Sequence, residues 1–245
     1  MKQNKYDDAG FFANYSLMAR SVDGLDAAGE WQSFRRMLPD LTGKRVLDIG
    51  CGYGWHCRYA REQEAAEVVG IDISEKMLAR AGELTDDPKI TYRRLAIEDL
   101  DYPAGSFDVI ISSLALHYIE HIDAVCKEVY RLLAPGGSFV FSTEHPVFTA
   151  RAAQDWHYGA DGEKLHWPVD DYSVEGMRET RFLENDVIKY HRTVSTMLNA
   201  LIEAGFVIRK LSEPQPPKAM LDTVPGMRDE LRRPMFLMIA ADRNA

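Results

Sequence analysis

The sequence has few cysteines, no long apolar run and no excess of basic residues, and each shortage removes a class of protein. Three cysteines stand in 245 residues, at Cys51, Cys57 and Cys126. An odd number without CxxC or Cys/His ligand spacing suits neither a disulfide framework nor structural zinc, so no metal is expected. No stretch approaches the roughly 18 uninterrupted apolar residues of a membrane-spanning helix. The opening MKQNKYDDAG follows its lysines with no apolar run, which predicts a chain without signal peptide or membrane partner, in the cytoplasm. Basic residues are outnumbered: 29 Lys and Arg face 38 Asp and Glu, a formal charge of −9. Such a surface repels phosphate backbones, so nucleic acid is not an expected partner. A 46% hydrophobic fraction beside 27% charged residues is enough for a full core.

Between Lys44 and Ala150, short β-rich apolar runs alternate with helical patterns, the signature of parallel βαβ units. Strands are predicted at 45–49 (RVLDI), 67–71 (EVVGI), 89–93 (KITYR), 107–112 (FDVIIS) and 138–143 (SFVFST). Helices are predicted at 55–63, after the N-cap Ser74, and at 122–133, where APGG stops the last one. From Phe148 to Asp186 the alternation breaks into an aromatic-rich stretch without sustained periodicity. Insertions of this length inside a domain are usually functional or disordered, and the aromatic content argues against disorder. Regular structure resumes at 187–190, with a helix at 193–204 and strands at 206–211 and 234–240. No long crossover helix joins the last two, so the final strand is expected to run antiparallel. One domain is expected: a helical cap (1–40), a cofactor-binding core (41–147), a lid or substrate insertion (148–190), and a helix and strands completing the sheet (191–245).

The run Asp48-Ile49-Gly50-Cys51-Gly52-Tyr53-Gly54 falls where the first strand turns into the first helix. That corner needs glycine, because the chain turns sharply and a ligand must approach main-chain N–H groups. The dinucleotide fingerprint GxGxxG is not met, since Trp55 stands where its last glycine would be. Asp48 would oppose a pyrophosphate but suit an ammonium group. Asp72, eighteen positions past Gly54, closes the second strand where a carboxylate can accept both hydroxyls of a ribose. Glu98 and Asp99 follow the third strand, where an adenine edge would fall. Together these specify adenosine with an amino-acid tail.

VLDIGCGYG (46–54), GIDIS (70–74), AIEDL (96–100), SFDVIISSLALHYI (106–119) and RLLAPGGSFVFS (131–142) resemble the ordered motifs of class I S-adenosylmethionine-dependent methyltransferases. The likeness covers about residues 40 to 145. It implies an α/β, Rossmann-like, seven-stranded mixed sheet in the order 3-2-1-4-5-7-6, strand 7 antiparallel, flanked by helices and carrying an insertion after strand 5. It implies S-adenosylmethionine as cofactor and S-adenosylhomocysteine as product. Gly50, Gly52 and Gly54 would pass under the methionine moiety, Asp72 with Ile73 would meet the ribose, and Ser113 and Leu114 would line the sulfonium side. The Ile97 N–H would read the adenine. Many relatives have Asp where this chain has Ala96, which leaves the adenine amino group to Glu98, Asp99 or backbone. Several small-molecule members place an N-terminal Tyr near the sulfonium and an Arg near the methionine carboxylate, which points to Tyr15 and Arg20.

The acceptor side is read from chemistry alone. His145 after strand five, His117 after strand four and His191 before the penultimate helix are candidate bases. Each has an alternative as a capping or packing residue. Tyr118, Trp156, Trp167, Tyr172 and Arg192 are candidate substrate contacts, with core or turn roles as their alternatives. The leading expectation is methyl transfer to O, N or C of a small molecule by a monomer or homodimer. An RNA or protein methyltransferase lacks a basic stripe here, and SSLAL replaces the NPPY-like motif of many base-amino enzymes. A non-catalytic cofactor binder and, less favoured, a nicotinamide oxidoreductase complete the alternatives.

Overall fold

The computed structural model describes residues 3–245, so the first two residues of the expected cap lie outside the described residues. Parallel strands β1 (Arg45–Ile49), β2 (Glu67–Asp72), β3 (Ile90–Arg94), β4 (Phe107–Ser113) and β5 (Leu133–Glu144) form most of one sheet. Two short hairpins follow in the insertion, β6 (His157–Tyr158) with β7 (Lys164–His166) and β8 (Gly176–Phe182) with β9 (Asn185–His191). The strands β10 (Val207–Ser212) and β11 (Phe236–Asp242) return to the sheet, whose order is β10-β11-β5-β4-β1-β2-β3. β11 runs antiparallel to both β5 and β10, which gives the seven-stranded mixed sheet that the motif set implied.

Strand alternation explains the two cores. Leu47 and Ile49 of β1, Ile110 of β4 and Phe139 and Phe141 of β5 pack toward α6 (Ile122–Leu132) and α8 (Val194–Ala204). Val46, Val109, Ile111 and Val140 pack toward α3 (Trp31–Arg35) and α4 (Trp55–Glu62) on the opposite face. A sheet covered on both sides explains the nearly continuous apolar run of β4. Ser74 caps α5 (Glu75–Glu83) by accepting the Met77 N–H at 3.1 Å, and Thr193 caps α8 in the same way. The helix expected to stop at APGG ends at Leu132, but the strand expected from 138 begins already at Leu133, and residues 134–137 bulge out between the pairs Phe107–Leu133 and Val109–Ser138.

The insertion is more regular than its aperiodic sequence suggested. Phe182 and Val187 of its β8–β9 hairpin face the same cavity as the carboxyl ends of the sheet strands, and the hairpin meets the N-terminal segment at Gln3 and α1 (Ala9–Ser16), which α2 (Ala19–Val22) follows. Gln3 holds both main-chain groups of Ile188, donating to its carbonyl at 3.1 Å and accepting from its N–H at 2.7 Å. Phe11 packs edge-on to Phe182, and the Asn14 amide reaches the Leu183 carbonyl at 3.5 Å. Helices α7 (Pro146–Thr149) and α9 (Lys218–Thr223) complete the surround. Among the described residues, no helix is long and apolar enough to cross a membrane.

Gly54 gives a direct test of this packing. Its φ is +71°, and a Cβ there would lie 2.0 Å from the Tyr92 hydroxyl. Left-handed strain and overpacking together should cost Gly54→Ala about 2–5 kcal/mol. A lower urea midpoint at unchanged slope is the expected readout.

Candidate functional site

At the carboxyl end of β1 the chain turns on glycine. The N–H groups of Gly50 and Cys51 both donate to the Ile71 carbonyl at 2.9 Å, which fixes the turn against β2. The next amide, Gly52, donates to Asp72 Oδ2 at 2.9 Å, and Ser74 N–H donates to Oδ1 at 2.9 Å. Each carboxylate oxygen keeps acceptor capacity, so Asp72 is oriented without being used up. Burial raises its pKa, against the lowering effect of these amide bonds. Gly50 has φ +75°, and a Cβ there would strike Ala115 Cβ at 2.5 Å. A Cβ on Gly52 would meet nothing within 4 Å, so this part of the loop faces open space.

That space is a cavity of about 640 Å³. Gly50, Gly52, Asp72 and Ile73 line one end, and Ala96, Ile97 and Glu98 follow from the segment after β3. Ser113 and Leu114 line it from the end of β4. Leu114 has φ +54°, rare for a branched side chain, and donates its N–H to Ser142 O at 2.9 Å. Tyr15 and Arg20 enter from the N-terminal segment, Arg20 paired with the buried Glu30. His117 and Tyr118 also line the cavity. Burial lowers the His117 pKa to about 4, with Glu144 opposing, so the imidazole is neutral near pH 7.

Other candidates lie elsewhere. Asp48 is buried beneath the loop on the α4 face, where it accepts the Cys57 S–H at 3.3 Å. Its Oδ1 has no hydrogen-bond partner among the described residues. Gly54 packs under Tyr92, and Asp99 is not among the lining residues. His145 does not reach the cavity. Its Nδ1 caps α7 by accepting the Val147 N–H at 3.0 Å, and Nε2 lies 2.9 Å from Glu213. His191 is fully buried between the Thr149 hydroxyl (2.8 Å) and the Tyr172 carbonyl (2.9 Å). The Arg192 guanidinium is spent on the carbonyls of Ile119, Glu120 and Tyr190. Tyr172 accepts the Val194 N–H at 3.2 Å. Trp167 stacks on Phe148 at 5.1 Å, with Trp156 edge-on and Arg233 over both indoles. These aromatics anchor the insertion outside the cavity.

Sequence reasoning missed several lining residues: Tyr6, Glu30, Glu144, Phe182 and Val187. Glu144 carried a usable signal, since it ends β5 two positions beyond Ser142 and so shares its face. The others depend on how the cap meets the hairpin.

A methyltransferase-domain family model matches residues 47–141. A structure of an S-adenosylmethionine-dependent methyltransferase from Mesorhizobium loti is 49% identical, covers 90% of this chain and all of that one, and superposes with a TM-score of 0.84. A candidate enzyme of the same kind from Listeria monocytogenes is 51% identical over 91% of this chain and 100% of its own, with a TM-score of 0.86. A malonyl-[acyl-carrier protein] O-methyltransferase from Enterobacter lignolyticus is 33% identical over 61% of this chain, which spans about half of that enzyme (54%). The chain belongs to the S-adenosylmethionine-dependent methyltransferases of the Rossmann-like class I. It is an enzyme, and S-adenosylmethionine is its cofactor.

Asp48 generates a pH prediction. Burial raises its carboxyl to about 7, opposed by the Cys57 bond and helped by the Asp72 charge. From the ordinary value of about 4 up to about 7, the folded state then holds a proton that the unfolded chain has lost. Stability from this group therefore falls as pH rises through that window. Asp48→Asn should lack the decline, so the melting-temperature advantage of wild type over the variant should shrink from pH 4 to pH 7. A constant difference would show that Asp48 titrates normally.

Proposed function

We propose that the protein methylates a small molecule, with S-adenosylmethionine held along the strand ends and the acceptor beneath the cap and the β8–β9 hairpin. The observation that carries this reading is the Gly52–Asp72 corner opening into a cavity walled by Tyr15, Ser113, His117 and Tyr118. In this assignment Gly50 and Gly52 run under the methionine moiety. Arg20 and Glu30 present a cation and an anion to its carboxylate and ammonium groups. Asp72 takes the ribose hydroxyls, while the Ile97 N–H and Glu98 read the adenine. The bound cofactor would supply an electrophilic methyl group on a sulfonium, open to in-line attack by an acceptor with the thioether as leaving group.

The chain's own work is then positioning and exclusion of water. Well-oriented reactants supply about 7–11 kcal/mol of a barrier without any proton transfer. Tyr6, Tyr15, Tyr118 and Phe182 give the acceptor an aromatic wall. The seam formed by Gln3, Phe11 and Asn14 against the hairpin serves as the lid.

Calorimetry on the purified protein should show S-adenosylmethionine binding. Asp72→Ala should weaken it about ten- to hundredfold, the loss of charge-assisted hydrogen bonds to the ribose. An unchanged affinity in the variant would remove Asp72 from the site, and no binding by wild type would sink the whole assignment.

A further inference from the structure

The cavity holds an acidic group that positioning alone does not require. Glu144 ends β5 on the face of Ser142, whose hydroxyl lies 3.2 Å from that of Ser113 at the sulfonium side of the proposed site. Its side chain is 14% exposed and lines the cavity. Two groups from the insertion hold the carboxylate, the buried Lys189 and the partly buried Gln154. Lys189 Nζ donates to Oε1 at 2.6 Å, and Gln154 Nε2 donates to Oε2 at 3.2 Å. The amide is fixed in that sense because its own oxygen accepts from Lys189 at 3.0 Å and from Thr180 at 3.1 Å. Each carboxylate oxygen has one donor and keeps a lone pair for something in the cavity.

A hairpin bolt alone would not call for this arrangement. Taking an ammonium and a carboxylate out of water costs several kcal/mol per ion, and an apolar pair often holds as well or better. Lys189 is only 2% exposed, in a β9 position whose alternate neighbours, Val187 and His191, are also buried. Burial pushes the Glu144 carboxyl up, but the Lys189 charge and the hydrogen bonds from Lys189 and Gln154 outweigh it and leave the pKa below the ordinary value. The carboxylate is therefore ionised and preorganised.

His117 beside it takes the opposite part. Its Nδ1 accepts the Glu144 N–H at 3.5 Å, which leaves the neutral ring's proton on Nε2, so the Nδ1 lone pair is engaged and His117 is not assigned as the base. Of the other lining carboxylates, Glu30 pairs with Arg20, Glu230 forms a fork with Arg233, Asp72 sits at the glycine turn, and Glu98 lies at the far end after β3, where the functional assignment puts the adenine.

We propose, building on the functional assignment above, that Glu144 accepts the proton of the methyl acceptor, so that the acceptor is an O–H or N–H nucleophile, a phenol or an amine, and not a carboxylate. The acceptor–carbon bond forms as the sulfur–methyl bond breaks, and that electron pair stays on sulfur. The acceptor's X–H proton passes to a Glu144 oxygen and from there to water. A carboxylate acceptor has no such proton and would face a fixed negative charge.

Three probes with one ring and different heads test this: 4-ethylphenol, 2-phenylethylamine and 3-phenylpropanoate, titrated by calorimetry into protein saturated with S-adenosylhomocysteine. Affinity for S-adenosylhomocysteine is measured first. Its absence from wild type overturns the functional assignment, whereas equal affinity in wild type and Glu144→Gln establishes that the variant is folded. The expected result is binding of the phenol or the amine to wild type, whichever binds identifying the head group. Glu144→Gln should weaken it about tenfold or more, the loss of a charge-assisted hydrogen bond. 3-Phenylpropanoate should bind wild type poorly and gain in Glu144→Gln, while Glu144→Asp should keep the discrimination. Tightest binding of 3-phenylpropanoate to wild type, or identical binding of all three probes to wild type and Glu144→Gln, overturns the proposal.

Discussion

Everything in this molecule depends on the corner where β1 meets β2. Two amides, Gly50 and Cys51, share the Ile71 carbonyl, and a third, Gly52, reaches the Asp72 carboxylate. A half-buried carboxylate is tolerated because main-chain donors hold each of its oxygens, and the chain can turn to supply them because glycine allows positive φ at Gly50 and Gly52. The parallel sheet brings those groups to one edge by placing β4 beside β1 and β2 on its other side. The cavity is the room left above that edge.

Buried charge is distributed unevenly around this corner. On the α4 face, Asp48 lacks a full set of partners, and burial drives it toward the neutral form. At the end of β5, Glu144 lines the cavity and is held ionised by Lys189 and Gln154. Two carboxyls in one fold are thus set to opposite protonation states by whether a cation faces them.

The sheet, its order and the glycine corner were legible in the sequence because they follow from local rules. Alternation sets the strands, and the ordered motifs supplied the topology. The insertion was less readable. The β8–β9 hairpin turns at Leu183-Glu184, both at positive φ (+50° and +64°), where such a two-residue turn would normally announce itself with Asn-Gly. Its buried strand face carries Lys189, so the alternation that marks a half-buried strand was broken as well. His145 and His191 stood at plausible positions after and before regular elements. Which way an imidazole turns is decided by partners distant in sequence, Glu213 for one and Tyr172 with Thr149 for the other. Glu144 could be placed by strand parity, but its importance rests on Lys189, 45 residues away.

The bond between Gln3 and Ile188 joins residues 185 positions apart. Its consequence is temporal. During synthesis the glycine corner, β4 and β5 can assemble as soon as they emerge, while the cap has nothing to close against until the hairpin is made. Closing so long a loop is entropically costly, and the reward comes only after the sheet stands. In a chain still being made, Phe11 therefore emerges long before Phe182, and each lacks the other's cover until the hairpin is complete.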